Sequence, residues 1–331
     1  MTTGGTEELR RGLEAYLSAC ERAAVRVSGL SPISSVGNAR DPWDCTVTVE
    51  GAAPLRCVLL VKEAAGQLET SLGPEFHTLA ALHGSGVPAP RALWLDESGE
   101  AFGRAFFATA HVPGSADTAP LRRPEEAARM ASVARQLARA AARLHAVEIG
   151  PFERHLPATT VERAASDQLE HWAAVFERQR LEPHPALVHV IEWLRAHLPA
   201  TPHVAVVHGD LRFGNLLHDG DRLTALLDWE MVHLGDPNED LGWVYRDLWT
   251  PAAALPFEAF LDAYEAAAAR PVDRTALRWW QVFSELKHSV ISLTATRSFA
   301  DGATRALRHA NRSATVPGFV RRALELMEVA C

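Results

Sequence analysis

Residues 206–243 read VVHGDLRFGNLLHDGDRLTALLDWEMVHLGDPNEDLGW. The apolar run Val204 to Val207 has the length and composition of a short buried strand, and it leads directly into His208-Gly209-Asp210. Asn215 follows five positions after Asp210, Asp219-Gly220 supplies turn chemistry, and a second apolar run, Leu223 to Leu227, ends at Asp228, eighteen positions after Asp210. A hairpin of that size returns its end to its beginning, so Asp210, Asn215 and Asp228 are predicted to converge. Two carboxylates and an amide oxygen are hard ligands suited to Mg²⁺, which takes few protein groups and completes its shell with water and phosphate oxygens. A lone His-Gly-Asp would be an ordinary turn. The strand, the Asn at the fifth place, the hairpin and the terminal Asp together make it a candidate site.

Working outward, Glu7 to Val25 suits an amphipathic helix, and Cys45 to Glu50 alternates in the period of a strand. Gly51 to Pro54 turns the chain and Leu55 to Val61 reads as a more buried strand. A helix follows from about Pro74 to His83, closed by Gly84 and Gly86, and strand candidates Arg91 to Leu95 and Arg104 to Ala110 precede Pro113-Gly114. From Pro124 the pattern becomes helical. Met130, Val133, Leu137, Ala141 and Leu144 form one apolar stripe, and further helices are predicted near 160–180, 184–198, 256–269, 274–299 and 317–330. The fold class is therefore α+β, with a small antiparallel sheet in the N-terminal part (1–112) and a mainly helical remainder (113–331).

Of the 331 residues, 47% are hydrophobic and 22% charged, as in an ordinary globular protein. The net charge of −8 gives no general attraction to nucleic acid or anionic lipid, so neither is an expected partner. Cys20, Cys45, Cys57 and Cys331 show no metal-ligand spacing, and no stretch of about 20 apolar residues suggests a membrane span, so a cytoplasmic location is expected.

The segment quoted above resembles the catalytic region of the aminoglycoside phosphotransferase and choline kinase superfamily, whose fold is similar to that of protein kinases. The resemblance implies a two-lobed protein, with 1–112 as the nucleotide-binding lobe and 113–331 as the helical catalytic and substrate-binding lobe, and with ATP and Mg²⁺ as cofactors. It implies Asp210 as the catalytic aspartate, and Asn215 and Asp228 as metal ligands. His208 is read as supporting the loop. Lys62, closing a strand, and Glu75, opening the next helix, fit the lysine–glutamate pair that holds the donor phosphates. Thr109, Ala110 and Val112 fall where the family binds adenine, on a strand that ends in Val112-Pro113-Gly114. The chain departs from the family at SGLSPISSVGNARDPWDCTVTV, which is longer than the usual phosphate-covering loop; Ser34, Ser35, Gly37 and Asn38 are its candidate donors. Asp236 and Asp240 are read as bracing the loop after Asp228.

Within the superfamily, GVPAPRALWLDESG and LRWWQVFSELKHSVISLTATRSF look most like the phosphotransferase domains associated with acyl-CoA dehydrogenases. That implies a small-molecule kinase acting on a hydroxyl group, with hydroxylated acyl compounds as acceptors. Arg212, Lys287, His288 and Arg297 are the candidate acceptor contacts, while Trp279, Val282, Phe283 and Leu286 fall at core spacing. The alternatives are an antibiotic-modifying phosphotransferase, a non-catalytic nucleotide binder, and a metal hydrolase built on His208, Asp210, Asp228, His233 and Asp236.

Overall fold

The computed structural model describes residues 3–33, 40–62, 71–246 and 252–328. Ser34, Ser35, Gly37 and Asn38 lie outside the described residues. The chain divides into two compact units, one of residues 1–84 with 89–113, the other of 85–88 with 114–331.

The first unit begins with α1 (Thr3–Glu21), whose Leu9, Leu13 and Leu17 repeat every four residues and are buried on one face. The helix ends earlier than its apolar pattern suggests. Arg22 takes a left-handed conformation (φ 54°), and Val25 already opens a strand, β1 (Val25–Pro32). Strands β2 (Arg40–Val49) and β3 (Leu55–Lys62) follow, then α2 (Leu72–Leu82), β4 (Ala92–Asp96) and β5 (Phe106–Ala110). The five strands form one antiparallel sheet in the order β1-β2-β3-β5-β4. Trp43, Cys45 and Val47 of β2 and Cys57, Leu59 and Val61 of β3 point to the same buried side, where they meet the leucines of α1 and Phe106 of β5.

One correction concerns the stretch 31–43. Ser31 pairs with Asp44 and Pro32 with Trp43, so the ladder runs well into the stretch compared above with the phosphate-covering loop. Pro42 is tolerated because it stands where β1 runs out, its carbonyl still accepting from Ile33 N at 2.8 Å.

The second unit contains the helices α3 (Ala127–Leu144), α4 (Ala164–Gln179) and α5 (Pro185–Ala196), then a short-strand region. That region is β6 (Ala205–Val207), β7 (Leu216–Asp219), β8 (Arg222–Leu226) and β9 (His233–Gly235). Beyond it come α6 (Asn238–Val244), α7 (Phe257–Ala268), α8 (Arg274–Ala300), α9 (Leu307–Ala310) and α10 (Val316–Glu328). β7 and β8 form the predicted hairpin, closing with Asp219 opposite Arg222. β6 pairs with β9, a strand that the sequence reading did not separate from the loop after Asp228. The 27-residue α8 starts at Asp273, whose side chain accepts from Thr275 N, and packs against α10, α6, α4 and α5, burying Trp279, Trp280 and Phe283. Trp279 and Phe283 are core, as their spacing predicted, and Trp280 is core beside them.

Candidate active site

β6 is buried along its whole length and delivers the chain to His208. Gly209 turns it with φ 79°, and a Cβ there would lie 2.4 Å from the Met231 carbonyl oxygen, so only glycine fits. Asp210 comes next. Its Oδ1 accepts from Trp243 Nε1 at 2.6 Å and its Oδ2 from Asn215 Nδ2 at 2.6 Å, while Arg212 Nε reaches both oxygens, at 3.0 and 3.1 Å. Asn215 Nδ2 also donates to the Asp210 carbonyl at 3.0 Å. With its nitrogen committed to Asp210, the amide of Asn215 has its oxygen left for another ligand.

The end of the hairpin is brought to the same place through the backbone. Leu227 N donates to the Asn215 carbonyl at 2.8 Å, and the Leu227 carbonyl accepts from His208 Nε2 at 3.0 Å. Asp228, the next residue, is partly exposed and left-handed at φ 64°, a conformation that costs a non-glycine residue of order 1 kcal/mol and often marks functional sites. The predicted convergence of Asp210, Asn215 and Asp228 thus has a backbone basis.

His208 can be assigned a tautomer from its neighbours. The Asp210 N–H donates to Nδ1 at 3.3 Å, so Nδ1 carries the lone pair and Nε2 the proton it gives to Leu227. Burial pushes its pKa below the ordinary value, outweighing the carboxylates of Asp240, Asp210 and Asp228. A neutral imidazole with both nitrogens engaged supports the loop and has no lone pair left for a metal.

α6 grips this loop, and every one of its residues is buried. Asp240 accepts from the backbone N–H groups of His208 (2.8 Å) and Gly209 (2.9 Å), and its Oδ2 lies 3.1 Å from His145 Nε2, whose Nδ1 meets the Tyr264 hydroxyl. Burial alone would raise the pKa of Asp240. The bond and charge of His145, with His208, reverse that and hold it below the usual range. Asp236 accepts from Asn238 N at 2.8 Å and so braces the start of α6. Glu239 pairs with His233 Nε2 (3.0 Å) and Lys287 Nζ (2.8 Å), which offset the penalty of its burial and keep its pKa low.

Lys287 differs from the sequence expectation. It is 1% exposed, and its ammonium also donates to the Gly209 carbonyl at 2.6 Å, so it ties α8 to the loop from inside. The signal was present: Lys287 follows Trp280 and Phe283 at spacings of seven and four, on the core stripe of α8. His288 is buried as well, stacked on Phe319 at 4.3 Å. Burial, then Arg246, Arg312 and Arg212, hold its pKa well below the ordinary value. It carries no charge to offer an anionic acceptor. Arg297 pairs with Asp301 in the last turn of α8, about 15 Å along the helix from Lys287 at 1.5 Å per residue. Arg212, on Asp210, is the acceptor candidate placed at the site itself.

Trp243 was missed by the sequence reading. The only available sign was its place three residues after Asp240, on the same face of a helix.

In the first unit, Lys62 is the exposed last residue of β3, and Glu75 is 2% exposed in the first turn of α2. Thr109 is buried in β5 opposite Val58, and Ala110 follows opposite Cys57. The N–H groups of Ala110 and His111 are used within the sheet, by the carbonyls of Arg91 (2.8 Å) and Arg56 (2.9 Å). Val112, next along the chain, is half-buried.

A five-stranded antiparallel unit followed by a mainly helical unit, with an Asp-Asn hairpin ending in Asp, is the layout of kinase-like phosphotransferases. The chain belongs to the phosphotransferase enzyme family, whose model matches residues 44–280. It is similar to mouse acyl-CoA dehydrogenase family member 10, at 28% identity over 62% of this chain and 20% of that protein. A probable acyl-CoA dehydrogenase of Arabidopsis thaliana, IBR3, matches at 23% identity over 76% of this chain and 34% of its own length. The chain thus spans about a fifth and about a third of these two curated relatives. Among solved structures, a Ralstonia eutropha protein described as a candidate aminoglycoside phosphotransferase superposes with a TM-score of 0.73 at 22% identity, covering 96% of this chain and 97% of its own. The macrolide 2'-phosphotransferase MphH of Brachybacterium faecium superposes at 0.61 and 22%, covering 91% and 96%. At these identities the likeness carries the fold. Among the described residues, no helix is long and apolar enough to cross a membrane.

Proposed function

We propose that this phosphotransferase moves the γ-phosphoryl group of ATP to a hydroxyl group of a small molecule, with Mg²⁺ bound at Asn215 and Asp228. The observation that carries the reading is the fixed carboxylate of Asp210, with the Asn215 amide donating to one of its oxygens and Asp228 tied in beside them through Leu227. Asp210 orients the acceptor hydroxyl and takes its proton. Arg212 Nε spans both carboxylate oxygens and is the partly exposed one of the three donors, so it is the group an incoming hydroxyl displaces.

The metal reading rests on the donor set. The turned oxygen of Asn215 and the partly exposed carboxylate of Asp228 supply two hard ligands, few enough for Mg²⁺ to keep water and phosphate oxygens. When bound, the ion neutralises charge on the transferred phosphoryl group. The hydrolase alternative loses its support because His208 has both nitrogens engaged and His233 is held by Glu239 and the Met231 carbonyl. For the nucleotide we assign Thr109, the Ala110 carbonyl and the Val112 N–H to adenine, and Lys62 with Glu75 to the phosphates.

The acceptor we favour is a hydroxylated acyl compound. The likeness to acyl-CoA dehydrogenase family proteins supports it. The charges near the site favour neither sign, since Arg246 is paired with Glu285 and Arg212 with Asp210. Incubating the protein with ATP, Mg²⁺ and a panel of hydroxyacyl thioesters, hydroxy acids and aminoglycosides, with mass spectrometry for a gain of one phosphoryl group, tests the assignment. Phosphorylation of the aminoglycosides alone would overturn the acceptor class, and no ATP turnover with any member or with water would overturn the kinase reading.

A further inference from the structure

The geometry points to Trp243 as a positioning residue that fixes the carboxylate plane of Asp210 and so determines where the acceptor hydroxyl is taken; this rests on the reading of Asp210 as the catalytic base. A carboxylate at the end of a short side chain rotates freely about its last torsion unless each oxygen has its own fixed donor. Here Oδ2 is held by Asn215 and Oδ1 by the indole N–H of Trp243, both at 2.6 Å. Such short bonds to a charged acceptor are among the stronger ones available to a side chain.

The indole is itself immobilised. It is 2% exposed, with Lys287 Nζ 5.1 Å and Arg246 Cζ 5.0 Å from the ring, and the His288 ring 5.6 Å away. Gly242, just before it, lets α6 press on α8 so closely that a Cβ would come within 2.8 Å of the Trp280 backbone. The same helix holds the loop at two other points. Asp240 takes the N–H groups of His208 and Gly209, and Glu239 engages Lys287, which holds the Gly209 carbonyl. Three residues of one helix turn therefore locate the backbone before Asp210 and one oxygen of its carboxylate. What remains exchangeable is the position taken by Arg212, and Trp243 with Asn215 aims it.

The test removes one atom's function and keeps the ring. Incorporating benzothienylalanine at position 243 by codon suppression preserves the bicyclic shape and deletes the N–H. We expect turnover of ATP to ADP with Mg²⁺ to fall about 10–100-fold, as displacement of a catalytic group by an ångström does, with the KM for ATP unchanged and near-UV circular dichroism retained. Turnover within twofold of the wild type would overturn the proposal, as would a loss confined to KM. A second measurement stands apart from kinase activity. The indole ¹H–¹⁵N resonance that disappears in the benzothienyl protein should shift in Asp210→Asn while the other indole resonances hold. If it stays, Trp243 does not hold Asp210. If the wild type turns over no ATP, the kinase reading fails, and this resonance alone decides whether the carboxylate is held.

Discussion

Asp210 carries three side-chain donors on two oxygens, and each comes from a different source: the next turn of its own loop, the start of the hairpin, and α6. This is why a short motif can specify a site. Legibility at this scale followed chemistry that is local in sequence. Asp210, Asn215 and Asp228 could be read because one hairpin joins them, whereas Lys287 was misplaced as an acceptor contact because its partners, Gly209 and Glu239, are 78 and 48 positions away. The structure makes a specific forecast for Lys287. Lys287→Met leaves Glu239 buried with His233 as its remaining charge partner, and should destabilise the protein by about 3–5 kcal/mol in urea unfolding, the usual cost of breaking a buried ion pair from one side. A change below 1 kcal/mol would mean the ammonium is not part of the interior.

At the scale of elements, α6 and the turn at Gly209 act together. Gly209→Ala must clear a contact of 2.4 Å with a backbone oxygen at a positive φ, so it should lose at least ~1–2 kcal/mol of stability, most of the cost falling on the loop. The bond from Asp240 to that loop has a pH signature. Its pKa is lowered from 3.8 in the folded protein, so its contribution is fully present above pH 3.8 and is lost as pH falls through the lower folded value. The stability difference between wild type and Asp240→Asn should therefore be constant above pH 3.8 and close below it. A gap that widens in acid would contradict the assignment. His233 works in the opposite sense. Glu239 raises its pKa above 6.5 against the effect of burial, so its contribution is complete below pH 6.5 and fades as pH rises through the raised value. Asp240 is legible in the sequence as a brace for the loop, but its partner His145 and the pairing of Glu239 with His233 are not, because a seven-residue helix with no exposed face gives no amphipathic signal. The strand β1 was hidden for a related reason: Ser28, Gly29, Ser31 and Pro32 are poor strand formers, and only pairing with β2 makes them one.

At the scale of the whole molecule, the α+β class and the order of nearly every long element were legible because alternating and 3.6-residue patterns report burial directly. The acceptor was not, since Arg212 is the one candidate placed on Asp210, while Lys287 and His288 are interior and Arg297 is tied to Asp301. Binding of the donor can be checked without knowing the acceptor. ATP with Mg²⁺ at about 100 times its dissociation constant should stabilise the fold by ~2.7 kcal/mol, read as a rise in melting temperature, and Asp228→Ala should reduce that rise by weakening the metal-bound complex. The most direct test of the account is turnover of ATP by Asp210→Asn, purified and shown by circular dichroism to be folded. Loss of phosphoryl transfer to acceptor or water, with the ATP-induced stabilisation retained, is the predicted result, and transfer at the wild-type rate would contradict the central claim.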